Sequence, residues 1–378
     1  MDIETLHLSS IMDADRFADL EYFVRHTAFI ICHKSEPVDT LLAILRYLPA
    51  DSPRIVVTNC PSRAFEQLND ALSSQSMSRS ATYLIHQKDE RVAHLFRECG
   101  VSQILDASGA VADGKGEGMY IGAILASLLG ISEWIVYFDA DNYAPSALLE
   151  YILAMGQLFT SSAGAYPLLV GSRDYPAQAA LHNVRVHWAS KPEYDGVTFV
   201  PQPPILGRCT QVIAPLCEEL LQAWQPENTQ RLLTPNAGEQ GMTMAAAMAL
   251  RFSSGFSIET FQLLELASIE ARRARTRRAE SPMRVRLQQY LSGSPHFHEK
   301  KDDAHIRGMI AESLGCFLAF RRYLPPYLMQ RIATLASELD ICLTRPTIYP
   351  AIRSLQLVRY GDFPAQFRLD ARVEGVSA

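Results

Sequence analysis

The chain contains Trp134-Ile135-Val136-Tyr137-Phe138-Asp139-Ala140-Asp141, an apolar run that ends in two acids. Residues 134–138 are all β-branched or aromatic, which is typical of a strand buried on both faces of a parallel sheet. Ligands of open α/β sheets bind at the carboxyl ends of the strands. The sequence therefore predicts that the carboxylates of Asp139 and Asp141 face a crevice, where they are suited to hold a divalent cation.

An Asp-x-Asp triplet is a weak signal by itself, because one is expected by chance in a chain with this much aspartate. Asp13-Ala14-Asp15 has the same letters with no apolar strand before it, and we interpret it as a solvated helix start. For residues 139–141 the alternative is a plain turn at a strand end. The preceding strand favours a metal or substrate role, in which a bound cation would neutralise the diphosphate of a departing sugar nucleotide.

The composition bounds the class of protein. The chain has 378 residues, is 48% hydrophobic and carries a net charge of -6, with a pI near 5.9. This length allows one large or two modest domains, and the acidic balance argues against general nucleic-acid binding. No apolar run reaches the roughly 18 residues that span a bilayer, and the amino terminus has no signal-peptide pattern. We expect a cytoplasmic protein with no membrane partner, whose seven scattered cysteines are reduced thiols.

Strands and helices alternate through the first part of the chain. Apolar strands are predicted at residues 27–32, 54–58 and 82–86, each with a helix after it. This alternation predicts parallel strands joined by right-handed crossovers, as in a nucleotide-binding α/β half. The polar segment His33–Glu36 follows the first strand, and Asn59 follows the second.

A glycine-rich loop comes one helix before the 134–138 strand. It reads Asp113-Gly114-Lys115-Gly116-Glu117-Gly118-Met119. Glycines allow the backbone to approach a ligand closely, and Lys115 can reach a phosphate as a point charge. The helix that begins here points its amino end at the same crevice. A flexible loop before a helix is the alternative, but the position favours phosphate contact.

The second half contains a less regular pattern. Residues 184–188 alternate as a strand of an antiparallel excursion, and Arg185, His187 and Lys191 offer groups suited to an anionic acceptor. Routine polar strand positions are the alternative. Residues 236–244 are predicted to open a helix capped by Asn236, and residues 253–259 to form a loop and strand before another helix.

Two charged or polar clusters remain. Five arginines, at positions 272, 273, 275, 277 and 278, are interpreted as a solvated helix face, with steering of an acidic substrate as the minority alternative. His296 and His298 point the same way if their segment is extended, and imidazole suits a borderline divalent metal. The sequence by itself leaves open whether they bind one.

Together these segments resemble the mannosyl-3-phosphoglycerate synthase family of retaining GT-A glycosyltransferases. The resemblance covers about residues 27–310 and rests on Gly114–Met119, Phe138–Tyr143, Arg185–Trp188 with Lys191-Pro192, Asn236–Glu239 with Met242-Thr243, Ser254–Glu259 and Pro295–Glu299, in the order of the family. Each motif is weak alone, whereas the ordered set is specific. Two segments, His33–Glu36 and Gly207–Thr210, depart from the family pattern, which bears on base and acceptor selectivity.

The resemblance implies a fold and an activity. The fold is α/β of the GT-A type, a mostly parallel sheet flanked by helices with a more helical carboxyl-terminal acceptor region. Residues 1–175 would form the nucleotide-sugar half and residues 176–378 the acceptor half, packed as one continuous unit. The implied activity is transfer of mannose from GDP-mannose to 3-phosphoglycerate in mannosylglycerate biosynthesis, with a divalent cation (Mg, Mn or Co) and in a possible homodimer.

The resemblance also implies roles for individual residues. The catalytic residues would be Asp141, Lys115 and Glu239, of which Glu239 would orient the sugar or the acceptor without acting as a covalent nucleophile. Donor contacts would come from His33, Lys34, Glu36, Asn59, Lys115, Glu117, Asp139 and Ala140, and acceptor contacts from Arg185, His187, Lys191, Asn236 and Thr243. The metal ligands would be Asp141 and His298 first, with His296 and Asp139 next.

Three alternatives stay open at this point. One is the same fold acting on another sugar or acceptor, as in glucosyl transfer to phosphoglycerate. A nucleotidyltransferase that makes the sugar nucleotide also uses an α/β sheet and acidic metal ligands, but its glycine-rich signature is expected close after the first strand, where His33–Glu36 stands. A non-catalytic sugar-nucleotide-binding protein is disfavoured by the two candidate metal clusters.

Overall fold

The computed structural model describes residues 2–7, 17–74, 81–161, 181–190, 192–194, 197–200, 206–224, 230–276, 285–299 and 301–369. The strands are β1 Asp2–His7, β2 Thr27–His33, β3 Arg54–Thr58, β4 Thr82–His86, β5 Trp134–Asp139, β6 Leu181–His187, β7 Glu193–Tyr194, β8 Phe199–Val200, β9 Gln240–Thr243, β10 Phe252–Ser253, β11 Val285–Leu291, β12 His298–Glu299, β13 Ile348–Tyr349 and β14 Arg368–Leu369. The α-helices are α1 Phe17–Arg25, α2 Val38–Tyr47, α3 Ser62–Ser74, α4 Glu90–Glu98, α5 Lys115–Leu129, α6 Ala147–Ser161, α7 Arg208–Trp224, α8 Met244–Ala249, α9 Ser257–Thr276, α10 Asp303–Ala319 and α11 Pro326–Glu338.

Nine strands of the described chain form one sheet in the order β1-β11-β6-β9-β5-β2-β3-β4-β14. The pairs β1–β11, β11–β6, β5–β2, β2–β3 and β3–β4 are parallel. Strand β9 runs antiparallel between β5 and β6, and β14 pairs antiparallel with β4 at the edge. The predicted mostly parallel sheet is confirmed.

Each face of the sheet is covered by a separate apolar layer. On one face, Ile30 of β2 belongs to a core that includes Ile124 of α5 and Phe363 near the carboxyl end. On the other face, Phe29 of β2 joins a core with Tyr151 of α6. Consecutive residues of one strand thus enter opposite layers, as the two-residue period of a strand requires. A third cluster unites α7, α9, α10 and α11, so the carboxyl-terminal half is the more helical one, as predicted.

Helix α5 lies unusually close to the central strands. A Cβ added at Gly122 would lie 2.5 Å from Ile30 Cγ2, so a larger residue would push the helix away from β2. The helix ends at Gly130, whose φ of 68° is the left-handed geometry that glycine adopts without strain. Because α5 leads directly into β5, this close packing fixes the amino end of the helix beside the carboxyl end of the strand.

Three local predictions are corrected. Residues 240–243 form strand β9 instead of a helix, and the helix that follows, α8, is capped by Thr243, whose side chain accepts from the Ala246 amide. Asn236 is therefore not a helix cap. The predicted strand within 253–259 is confined to β10, since α9 begins at Ser257. The segment at 184–188 belongs to β6 of the main sheet, parallel to β11 and antiparallel to β9, and is not a separate excursion.

Some predictions fall outside the described residues, among them the Asp13–Asp15 helix start, Arg277 and Arg278. All seven cysteines are free thiols. Among the described helices, none is long and apolar enough to cross a membrane.

Candidate active site

The carboxyl ends of β2, β3, β4 and β5 border a cavity of about 650 Å³. This is the edge of the sheet at which the sequence predicts ligand binding. The structure brings together at this cavity eleven of the residues singled out from the sequence, namely His33, Lys34, Glu36, Asn59, Lys115, Asp139, Ala140, Asp141, Asn236, His296 and His298.

Lys115 joins two acidic side chains at the floor of the cavity. Its Nζ atom lies 2.5 Å from Asp139 Oδ1 and 2.7 Å from Glu259 Oε1. Burial disfavours the charged form of the ammonium, but the two carboxylates outweigh that effect and the pKa of Lys115 is well above its usual range. Gly238 lies against the same carboxylate, since a Cβ there would be 1.9 Å from Asp139 Oδ2. Lys115 is therefore a fixed cation at the amino end of α5.

Asp141 and the histidine segment meet at the neighbouring wall. The Tyr143 amide donates to the Phe297 carbonyl over 2.8 Å, which ties the loop after β5 to the segment before β12. His296 Nε2 lies 3.8 Å from Asp141 Oδ1, and Lys301 Nζ lies 3.4 Å from Asp141 Oδ2. Two motifs more than 150 residues apart in the sequence thus share one wall.

Glu150 of α6 anchors the loop that precedes His296. Its Oε1 atom accepts from the Tyr290 hydroxyl over 2.5 Å and from the Gly293 amide over 2.6 Å, and its Oε2 atom accepts from the Ser294 amide over 2.9 Å. The His296 amide in turn donates to the Ser190 carbonyl. The imidazole is therefore positioned by backbone contacts on both sides of it.

Glu239 lies behind this wall and does not line the cavity. Its side chain is fully buried, and neither carboxylate oxygen has a hydrogen-bond partner among the described residues. Its Oε1 atom is 3.4 Å from His296 Nδ1. Burial raises the pKa of the Glu239 carboxyl, and His296 offsets part of that rise. This corrects the prediction that Glu239 orients the sugar or the acceptor directly, because its contact is His296.

The cavity wall offers ligands of the kinds that divalent cations accept. Among the described residues, no group of three or more His, Cys, Asp or Glu side chains is already arranged to hold a metal ion. Asp141 and His296 approach each other, and His298, whose ring centroid is 5.6 Å from that of His296, lines the same cavity. Carboxylate oxygen and imidazole nitrogen fit a borderline divalent cation. Both histidines line the cavity that Asp141 and Asp139 line, so the predicted ligand set of Asp141, His298, His296 and Asp139 stays a prediction.

The residues after β2 and β3 form the opposite end of the cavity. His33 Nδ1 lies 2.8 Å from Thr58 Oγ1 and His33 Nε2 lies 2.9 Å from the Glu36 carbonyl. Glu36 Oε2 accepts from the Lys34 amide over 2.8 Å. The Asn59 amide donates to the His33 carbonyl, which joins the two strand ends. These contacts hold the predicted donor-binding segment in a defined conformation.

Glu117 and Thr243 are not placed at the cavity. Glu117 is buried beneath it, where its carboxylate accepts from the Tyr349 hydroxyl over 2.5 Å and from the Gly255 amide over 3.0 Å. Thr243 pairs with Trp134 at the opposite end of β5 from Asp139. Their predicted donor and acceptor contacts are corrected, because the first residue joins α5 to the β10–α9 turn and the second caps α8.

The predicted acceptor residues have different positions from one another. Arg185 is fully buried, and its guanidinium donates to the carbonyls of Thr234 and Glu259, so it supports the framework and does not face a substrate. His187 is partly buried and does not line the cavity. Lys191 lies outside the described residues. Asn236 lines the cavity with its Nδ2 atom donating to Thr260 and Ser313, while its buried Oδ1 atom has no hydrogen-bond partner among the described residues.

The charged residues at the cavity that were not assigned from the sequence include Glu259, Arg208 and Lys301. Arg208, the first residue of α7, donates to Asp303 Oδ1 over 2.8 Å and to the Lys301 carbonyl over 2.6 Å. The signal for Glu259 and Lys301 was their place within or next to quoted motifs. Arg208 stands in a segment that departs from the family pattern, and only the fold brings it to the histidine segment.

The sequence also matches known proteins. The sequence model of the mannosyl-3-phosphoglycerate synthase family matches residues 6–360. The chain is 29% identical to mannosyl-3-phosphoglycerate synthase of Pyrococcus furiosus over 294 residues, which are 76% of this chain and 70% of the relative. It is 27% identical to the Aeropyrum pernix enzyme of the same name over 315 residues, which are 81% and 76% of the two chains.

A solved structure matches the fold over most of the chain. It is the crystal structure of glucosyl-3-phosphoglycerate synthase from Mycobacterium tuberculosis with Mn²⁺, UDP-glucose and phosphoglyceric acid. The TM-score is 0.50 at 14% identity, with 93% of this chain and 98% of that chain covered. At this identity the match speaks for the fold alone, which is of the GT-A type. On the family match over nearly its whole length, the chain belongs to the mannosyl-3-phosphoglycerate synthase family of glycosyltransferases.

Proposed function

We propose that the protein transfers mannose from GDP-mannose to 3-phosphoglycerate with the help of a divalent cation, and releases GDP. The observation that carries this proposal is the cavity at the carboxyl ends of the strands, which Lys115, Asp139, Asp141 and His296 line together. A nucleoside diphosphate needs such a cluster of cationic and metal-ligating groups. The homodimer that the resemblance suggests stays a prediction.

The ligand set suits a cation that is shared with the substrate. Magnesium sites in enzymes that act on phosphates often use only one or two carboxylates, and substrate oxygens complete the coordination. Asp141 and His296, with Asp139 and His298 nearby, would hold the cation from the protein side. When bound there, the cation supplies charge that stabilises the departing diphosphate.

The residues of the chain have separate tasks in this reaction. Lys115 holds a positive charge beside Asp139 and so favours the negative charge that develops on the leaving diphosphate. His33, Lys34 and Glu36, which line the cavity, would border the nucleoside. The bound sugar would lie between these groups and the acceptor. Retention of configuration, carried over from the family, requires the acceptor hydroxyl to attack from the face that the diphosphate leaves.

The acceptor side of the cavity carries positive charge. 3-Phosphoglycerate has a phosphate and a carboxylate, so its site needs more than one cation. Arg208 at the amino end of α7 and Lys301 supply them, and helix amino ends favour anions. Arg208 and Lys301 take the place of Arg185 and Thr243 in the proposed acceptor site, to which Asn236 still belongs.

Product analysis with defined substrates tests the proposal. Purified protein is mixed with 3-phosphoglycerate, Mg²⁺ and either GDP-mannose or UDP-glucose, and nucleotide release and the phosphorylated product are followed. GDP release with formation of mannosyl-3-phosphoglycerate is expected, and EDTA should stop it. Faster turnover of UDP-glucose would favour the glucosyl alternative. Pyrophosphate formation from GTP and mannose 1-phosphate would indicate a nucleotidyltransferase, and binding without turnover would exclude an enzyme of this class.

Replacement of Asp141 tests the cation site. Asp141→Ala should lower kcat by about 10²-fold or more, because the leaving diphosphate loses its charge stabilisation. The same variant should lose the rise in melting temperature that Mn²⁺ and GDP cause in the wild type. Asp51→Asn, at an exposed acid in the α2–β3 turn, is the control. Full activity of the Asp141 variant would refute the assignment.

A further inference from the structure

A charged pair that the reaction does not use lies at the nucleotide end of the cavity. Asp113 lines the cavity, and its Oδ1 atom is 2.9 Å from Lys88 Nζ, at the end of β4. The Asn59 side chain also donates to the Asp113 carboxylate. Both members of the pair remain partly accessible, with 53% of the Asp113 side chain and 38% of the Lys88 side chain exposed. We propose that Asp113, assisted by Lys88, reads the base of the sugar nucleotide and selects guanine.

The order of the strands places this pair where a base would lie. Asp139 and Asp141 follow β5, the His33–Glu36 segment follows β2, and Asn59 and Gln87 follow β3 and β4. These strands are consecutive in the sheet. Their three spacings add to about 14 Å, which is comparable with the extent of a nucleoside diphosphate. With the diphosphate at β5 and the ribose at β2, the base reaches β3 and β4.

The segment that carries Asp113 is held by its neighbours. The Ala112 amide donates to the Ile104 carbonyl over 2.9 Å, and the Gln87 side chain donates to the Ala112 carbonyl. Gln87 is itself fixed by its backbone amide, which donates to the Thr58 carbonyl over 2.7 Å. The Lys88 ammonium holds the pKa of the Asp113 carboxyl below its usual range, so the carboxylate is ionised at neutral pH. A placed carboxylate is what selective hydrogen bonding requires.

The hydrogen-bonding pattern matches guanine better than other bases. Guanine presents two adjacent donors, the N1 and N2 hydrogens, beside the O6 acceptor. A carboxylate accepts from both donors, while Lys88, which contacts Asp113 and does not line the cavity, holds that carboxylate in place. Adenine would place its N1 acceptor against the carboxylate. Uracil has one donor between two carbonyl oxygens. The carboxylate would therefore form one hydrogen bond to uracil and be repelled by the two carbonyl oxygens beside it. This inference rests on the proposed use of a sugar nucleotide and adds the residue that chooses its base.

Calorimetric titration with three nucleotides tests the inference. GDP, inosine diphosphate and UDP are titrated into the whole protein with Mg²⁺; inosine diphosphate differs from GDP only by the missing 2-amino group. The wild type should bind GDP about tenfold more tightly than inosine diphosphate, the value of one hydrogen bond to a charged group. In Asp113→Asn, the amide oxygen can accept from one of the two guanine donors, but the amide NH2 group repels the other. The ratio of the two affinities should then fall to about one.

Asp106→Asn is a matched control. Asp106 Oδ2 lies 3.8 Å from the same Lys88 Nζ, but Asp106 does not line the cavity, so this variant should keep the tenfold ratio. Melting temperatures confirm that both variants fold. A ratio near one in the wild type, or an unchanged ratio in Asp113→Asn, would overturn base reading by Asp113 even if mannose transfer from GDP-mannose is observed. Absence of that transfer would overturn the proposed function instead.

Discussion

The Lys115 ammonium forms ion pairs with two carboxylates in a buried position, so its removal should destabilise the folded state. Its ammonium pairs with Glu259, of whose side chain only 4% is exposed. In Lys115→Met the Glu259 carboxylate would keep its burial without its cation. We expect the free energy of unfolding to fall by about 3 kcal/mol, the usual cost of breaking a buried pair on one side. Urea denaturation measures this change, and GDP release should slow in parallel.

A double variant separates charge from packing. Lys115→Met combined with Glu259→Gln removes the more deeply buried of the two charges that lose their cation, while it keeps nearly the same side-chain volume. The double variant should recover a large part of the lost stability but none of the activity, because the diphosphate still lacks its cation. An equal loss of stability in the single and double variants would show that the ion pair is not the cause.

His182 makes stability depend on pH. Burial lowers the pKa of this histidine from 6.5 to about 3, and its Nε2 atom lies 2.8 Å from Gln288 Oε1. Between these pH values the unfolded state binds a proton that the folded state does not bind. Stability from this residue is therefore lost as pH falls. From pH 7 to pH 5 the wild type should lose about 2 kcal/mol more than His182→Gln, which keeps a donor for Gln288 but does not titrate.

The comparison is made by urea denaturation of both proteins at the two pH values. Since all other titrating groups are shared, the difference between the two proteins isolates His182. Parallel pH dependence of the wild type and His182→Gln would mean that the pKa of His182 is nearly the same in the folded and the unfolded state.

At the level of the elements, the approach of α5 to the β10–α9 turn fixes the cavity floor. The Gly116 amide donates to the Gly255 carbonyl, and a Cβ at Gly116 would lie 1.9 Å from the Ser253 carbonyl oxygen. Gly116→Ala must therefore displace backbone near Glu259 and its contact with Lys115. We expect a loss of about 2 kcal/mol in the free energy of unfolding and lower activity, measured by urea denaturation and GDP release.

Gly308 provides the matched control within a helix. It lies in α10, where an added Cβ would meet no atom within 4 Å. Gly308→Ala should raise stability by up to about 1 kcal/mol, since alanine is the better helix former. If both alanine variants behave alike, the close contact at Gly116 is not what limits that position.

The elements that were predicted correctly are those whose pattern is local. Strand β5 is an unbroken apolar run, and the structure buries Trp134 through Phe138 as that pattern requires. The segment around β9 was wrong because its letters also fit a capped helix. Gln240–Thr243 becomes a strand since it can pair on both sides, with β5 and with β6. Such pairing with distant partners overrides local propensity and is not visible in a short window.

The positions of the site residues were likewise predictable where the signal is local and not where it depends on distant parts of the chain. Asp139, Asp141 and Lys115 were predicted because each has a recognisable neighbourhood in the sequence, a strand before the acids and glycines around the lysine. Arg185 was misplaced because an arginine on an alternating strand reads as exposed, whereas its guanidinium is buried against backbone carbonyls. Arg208 was missed because its place at the cavity depends on how α7 packs against α10.

For the whole molecule, the two predicted halves share one sheet. The boundary predicted at residue 175 lies between strands that pair across it. Strand β5 of the first half pairs with β9 of the second, and β1, from the start of the chain, pairs with β11. At the other edge, β14 near the carboxyl end pairs with β4. Each half therefore supplies hydrogen-bond partners to the other.

The shared core predicts that residues 1–175 do not fold by themselves. Without the second half, the layer that contains Ile30 and Ile124 loses Met242, Phe252 and Phe363, all buried in the full chain. Strand β5 would also present an apolar, unpaired edge, which favours aggregation. We expect the fragment to lack the near-ultraviolet circular dichroism and dispersed amide resonances of a packed core.

The full chain should then unfold in a single transition, with a calorimetric enthalpy equal to the van't Hoff enthalpy, because neither half keeps its core when the other opens. Two resolved transitions, or a fragment with native-like spectra, would contradict this expectation. Either result would mean that the contacts across residue 175 are weaker than the pairing of β5 with β9 implies. A cavity whose walls come from both halves would in that case be open to hinge motion, and GDP should raise the temperature of both transitions by bridging them.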